Sequence, residues 1–70
     1  MITQVKQFVV STKPLEKRIG NDTWETVLTA PAAGSEIIDR YSNWLQAFSG
    51  HLRVVADLKF LLHTSKGNQS

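Results

Sequence analysis

The sequence changes its hydrophobic period at Gly50. Before it, Ile37, Ile38, Tyr41, Trp44, Leu45 and Phe48 follow an i, i+1, i+4, i+7, i+8, i+11 pattern that gathers them on one side of a helix. After it, Leu52, Val54, Ala56, Leu58, Phe60 and Leu62 fill every second position, which sets all six on one face of a strand. A helix over about 35–49 that packs back onto a strand over about 51–63 accommodates both patterns. Val54, Val55, Leu58, Leu61 and Leu62 also satisfy helical spacing, but a helix leaves Leu52 and Phe60 on its polar side. The strand accounts for all six alternate positions and is preferred. Ser35 suits the N-cap of the earlier helix, Glu36 and Asp39 complement the positive end of its dipole, and Gly50 fits the residue past its end where φ turns positive.

Upstream of the helix the residues favour β structure. Residues 2–11 are rich in β-branched and aromatic types, with Ile2, Phe8 and Val10 on one face and Val5 and Val9 on the other. Thr12-Lys13-Pro14 predicts a break in that strand, because proline has no backbone donor. Residues 15–19 and 23–29 flank Gly20-Asn21-Asp22 and read as a short hairpin, with a short helix over Pro14 to Ile19 as the alternative. Ala30-Pro31-Ala32-Ala33-Gly34 reads as a link to the helix. The expected fold is α+β: a two-layer sandwich of one amphipathic helix (about 35–49) on an antiparallel or mixed sheet of three or four strands (about 2–11, 15–19, 23–29 and 51–63). Residues 1–64 form one domain, and residues 65–70, which contain no apolar side chain, form a disordered tail.

Size makes such a fold marginal. A chain of 70 residues buries only about 60% of the surface that its unfolded form exposes. The sequence has no cysteine, so disulfides and thiolate metal sites are excluded as reinforcement. A second copy or a larger partner remains. The stretch after Met1 lacks the basic and apolar regions of a signal peptide, and no apolar run approaches the roughly 20 residues of a membrane helix. The expectation is a cytoplasmic protein without a membrane segment.

The net charge is +2, but its distribution is uneven. Residues 1–19 hold Lys6, Lys13, Lys17 and Arg18 against Glu16, residues 20–39 hold Asp22, Glu25, Glu36 and Asp39, and residues 40–70 hold Arg40, Arg53, Lys59 and Lys66 against Asp57. Such a basic, acidic, basic order lets segments pair with each other or with another copy.

Few residues suggest chemistry. His51 and His63 flank the expected strand and would lie nearly 40 Å apart along it, which excludes a shared metal or catalytic pair and leaves two solvated histidines. Glu36 and Asp39 are accounted for by helix capping, and Asp57 by a cross-strand or interface pair. No serine sits in a G-x-S-x-G setting. Gly34-Ser35 opens a helix whose N–H groups could hold an anion, a property common to helices. Tyr41, Trp44 and Phe48 read as core. Trp24, in a segment of Thr and Glu, suits an exposed binding anchor or, equally, a cover for the helix end.

These observations point away from an enzyme and call for no cofactor or metal. They favour a small protein-interaction module: a homodimer, an adaptor, or an inhibitor that covers a site on a larger protein. The expected contact surface is the second sheet face, built from Val5, Val9, Arg53, Val55, Asp57, Lys59 and Leu61, and Trp24 is a further candidate contact. The alternative is a small nucleic-acid-binding protein using Lys13, Lys17, Arg18, Arg53 and Lys59, although no RNP-like or helix-turn-helix signature is present.

Overall fold

The first ten residues are too apolar on both sides for a single strand, and the chain resolves this by turning back on itself. In the computed structural model, which describes residues 1–68 with side chains through His63, β1 (Ile2–Val5) pairs antiparallel with β2 (Phe8–Ile19) across a turn at Lys6 and Gln7. Lys6 adopts φ 54°, the left-handed conformation such a tight reversal requires. The reversal sets Val5 and Val10 on the same side of the sheet, and both are buried.

β2 does not stop at Pro14. It continues to Ile19 and pairs with β3 (Asp22–Ala30) through a turn at Gly20, whose φ is 60°. The proline is accommodated because β1 covers only residues 8–11 of β2, so Pro14 lies on an open stretch of edge where no donor is needed. The register between β2 and β3 shifts between Pro14 and Ile19. Neither the expected break at 12–14 nor a helix at 14–19 is present.

The largest correction concerns residues 34–68. Pro31 to Ala33 form a turn, Gly34 takes φ 76°, and β4 (Gly34–Tyr41) returns antiparallel along β3. The helix expected at 35–49 is therefore a strand followed by the first turns of α1 (Trp44–Asn68), and the strand expected at 51–63 lies wholly within that helix. Ile37, Ile38 and Tyr41 are β-favouring residues whose spacing also fits a helix, and the turn chemistry on their N-terminal side decides for the strand. The start of α1 is capped: Asn43 Oδ1 accepts the Gln46 N–H at 2.9 Å, and Gln46 Oε1 accepts from the Ser42 backbone N–H and hydroxyl at 3.3 and 3.0 Å. Gly50 lies inside the helix. Of the tail expected at 65–70, residues 65–68 belong to α1, and Gln69 and Ser70 lie outside the described residues.

The α+β class stands: the described residues form four antiparallel strands in the order β1-β2-β3-β4, with one helix packed on one face. Val5, Val10 and Val55 form the centre of the core, with Leu28, Val54, Leu58 and Leu62 packed around them. Its radius of gyration is 13.3 Å, against about 11 Å for a compact chain of this length. The molecule is elongated, with a principal extent of 45 Å, and its core is correspondingly thin.

Candidate functional site

The helix has two apolar sides. Ala47, His51 and Val55 are buried against the sheet, with Val54, Leu58 and Leu62 half-buried beside them. At 3.6 residues per turn, Phe48, Leu52, Ala56 and Phe60 follow one another as a single i+4 ridge centred about 130° around the helix from the core-facing side. All four are exposed, Leu52 by 53% and Phe60 by 67%. Leu45 lies beside this ridge, and Trp44 packs its ring against Phe48 with centroids 6.3 Å apart. The two ridges are offset by two residues along the chain, so together they produce the alternation seen from Leu52 to Leu62.

A groove of about 660 Å³ runs between α1 and β4. Ile38, Tyr41, Leu45 and Val54 supply its apolar wall, and Asp39, Gln46, Arg53 and Asp57 its polar rim. Ile38 reaches it because the β3–β4 register slips by one residue between Thr26 and Val27. The outer edge of β4 is exposed from Gly34 to Arg40, and the Asp39 carboxylate accepts the Arg40 backbone N–H at 2.9 Å, occupying one donor there.

Beneath the helix lies a buried polar chain that sequence reasoning missed. His51 is 2% exposed, with Nδ1 at 2.7 Å from Thr12 Oγ1 and Nε2 at 2.8 Å from Thr3 Oγ1. Thr12 and Thr26 hydroxyls lie 2.6 Å apart, and Thr26 donates to Tyr41 Oη at 3.0 Å. With the Thr26 proton directed at Tyr41, Thr12 donates to Thr26 and His51 Nδ1–H donates to Thr12, which leaves Nε2 of a neutral ring to accept from Thr3. This arrangement suits the neutral imidazole. Burial lowers its pKa below 6.5, and the nearby positive N-terminus lowers it further. That amino group donates to Thr12 O at 2.9 Å. The chain is internal to the fold, where it ties β1, β2, β3, β4 and α1 together and gives every buried member a partner.

The residues singled out from sequence are scattered. Val5 and Val55, expected on an open sheet face, are core residues at 7% and 8% exposure. Val9 is half-buried on the face of the sheet away from the helix. Trp24 is half-buried in the cross-strand row Pro14, Trp24, Tyr41, on the helix side. Arg53 and Asp57 both line the α1–β4 groove. Lys59 faces the opposite flank of α1, in a depression with Val5, Lys6, Leu62 and His63, and Leu61 is exposed. Lys13, Lys17 and Arg18 lie on the exposed end of the β2–β3 hairpin, so the five candidate cations do not converge. His51, expected at a solvated strand end, is instead buried beneath the helix. The spacing of Phe48, Leu52, Ala56 and Phe60 carries the signal of the outward ridge, legible only once the segment is known to be helical.

Among the described residues no three His, Cys, Asp or Glu side chains are grouped so as to hold a metal, and no helix is long and apolar enough to cross a membrane. Comparison with protein-family models, with curated proteins and with solved structures finds no match.

Proposed function

We propose that this protein acts by binding another polypeptide, as a small non-enzymatic interaction module of the cytoplasm. One observation carries the reading: α1 directs Leu45, Phe48, Leu52, Ala56 and Phe60 away from the sheet, with the Trp44 ring tilted against Phe48. Single exposed apolar residues are ordinary, whereas a contiguous aromatic and aliphatic patch marks a contact surface. Aromatic side chains at its centre are the residue types that dominate binding energy. The nucleic-acid alternative has less support, because Arg53 and Lys59 lie on opposite flanks of α1 and the remaining cations lie on a separate hairpin.

The test compares tagged wild-type chain with a Leu52→Asp, Phe60→Asp variant as bait in extract of the source cell. A polypeptide retained by the wild type, lost with the variant, and then bound by the purified chain in a calorimetric titration is the expected result. Identical retention by both baits, or none by either, overturns the reading.

A further inference from the structure

We infer that the outward ridge of α1 seats a second copy of this chain, packed antiparallel about a two-fold axis that passes beside Leu52 and Ala56. The inference rests on the reading that the protein works by binding, and it names the partner. Three properties of the ridge support it. The first is shape. Phe48, Leu52, Ala56 and Phe60 form an uninterrupted i+4 row, and interdigitation of two such rows is the commonest way helices pack. A two-fold axis between residues 52 and 56 sets the large Leu52 against the small Ala56 of the second copy, and Phe48 near its Phe60. Large meets small at the centre, and aromatic meets aromatic at both ends. Such self-complementarity is what an isologous interface requires.

The second property is charge. The same axis sets Lys59 opposite Ser49 of the second copy and keeps the two Lys59 side chains apart. A parallel pairing through the same ridge would bring Lys59 alongside Lys59 along the seam, so the ridge favours the antiparallel arrangement. The third is area. With Phe48, Leu52 and Phe60 exposed by 43%, 53% and 67% and Trp44 and Leu45 by 61% and 62%, the patch offers on the order of 500 Å² of apolar surface per copy, given side chains that bury 150–250 Å² each when aromatic. With all of it covered, two copies together bury about 1,000 Å², the threshold for a specific interface. A thin core in a cysteine-free chain gains stability from such an association.

Sedimentation equilibrium of the purified full chain from micromolar to high micromolar concentration reads the outcome directly. The expected result is a reversible shift from the 7.8 kDa monomer toward twice that mass. Ala56→Glu and Leu52→Lys, both at exposed positions, each weaken the dimer at least tenfold while circular dichroism stays that of the wild type. Mixed together, the two variants form a heterodimer, because the axis brings the introduced ammonium against the introduced carboxylate and leaves one wild-type Leu52–Ala56 contact. A monomer at every concentration overturns the inference; if the cell-extract bait still retains a partner through α1, the binding reading survives without it. A dimer that persists in Ala56→Glu, or a pair of monomeric variants that do not combine, also overturns it. Wild-type monomer that instead sediments with phosphatidylcholine–phosphatidylserine vesicles would assign the ridge to a lipid surface and overturn it as well.

Discussion

Replacing Gly50 with alanine sets two effects of opposite sign against each other. Glycine in the middle of a helix is unfavourable by about 1 kcal/mol relative to alanine, so on propensity alone Gly50→Ala stabilises the fold. The structure reverses that expectation. A Cβ at position 50 would overlap Cε1, Cζ and Oη of Tyr41. The ring cannot swing aside freely, since Tyr41 is buried and its hydroxyl accepts from Thr26. Overpacking of this kind costs about 1–3 kcal/mol, and overlap with two ring carbons and the hydroxyl oxygen places it near the top of that range. After the propensity gain the net loss is about 2 kcal/mol, from a total stability of about 4–10 kcal/mol for a domain of this length. The protein stays folded, with its Tm lowered by roughly 8–16 °C. Urea denaturation followed by far-ultraviolet circular dichroism, at one fixed protein concentration, measures the change. A double-mutant cycle with Tyr41→Val isolates the cause: once the ring is gone, Gly50→Ala gains its propensity term and becomes stabilising by about 1 kcal/mol, giving a coupling of about 3 kcal/mol. Stabilisation by Gly50→Ala in the wild-type background, or equal effects in both backgrounds, would refute the close approach of Tyr41 to the helix.

His51 has a folded-state pKa below its unfolded value of 6.5, so its contribution is complete above pH 6.5 and is lost as pH falls from there toward the folded value. Unfolding free energies from urea titrations between pH 7.5 and 5 should fall with a slope of at most about 1.4 kcal/mol per pH unit, and His51→Gln should flatten that slope; an unchanged slope in the variant would exonerate His51. Lys6→Gly, at the residue with φ 54°, should raise stability by about 0.5–1 kcal/mol, because glycine takes the left-handed region without the penalty of a side chain; a loss of stability would count against the β1–β2 turn geometry. Leu58→Lys and Leu52→Lys occupy equivalent places in the alternating pattern but opposite sides of α1. The first should cost about 3 kcal/mol or more and the second within about 0.5 kcal/mol in dilute monomer, and equal losses would contradict the helix.

Which parts of this fold the sequence disclosed follows from what each local signal measures. The α+β class was legible because β-branched runs and amphipathic periods occur in the same short chain. The Asp22 to Ala30 strand and its turn at Gly20 were legible from turn chemistry and composition. The exchange of helix and strand on either side of Gly50 was not, and the reason is physical. Ile37, Ile38 and Tyr41 fit helical spacing only when joined to Trp44, Leu45 and Phe48, so the pattern runs across two elements. Asn43 and Gln46 carry the capping signature that divides them, with bonds of 2.9 to 3.3 Å at the helix start. His51 was misplaced because a polar residue on an apolar helical face becomes visible as a core group only when its hydroxyl partners, Thr3 and Thr12, are brought to it from β1 and β2.

The alternation from Leu52 to Leu62 connects that misreading to the candidate site. An alternating row of apolar residues buries one face of a strand, but wound into a helix it divides between two i+4 ridges about 200° apart. Leu58 and Leu62 then serve the core, while Leu52 and Phe60 stand in water. A sequence selected only to fold would have polar residues on the second ridge, because apolar side chains there add nothing to the core and invite association. The helix register is fixed independently by the Asn43 cap and the His51 bonds, so the outward ridge cannot be relieved by rotating α1. Its apolar character is therefore a property of the surface, and that property is what the proposed dimer rests on.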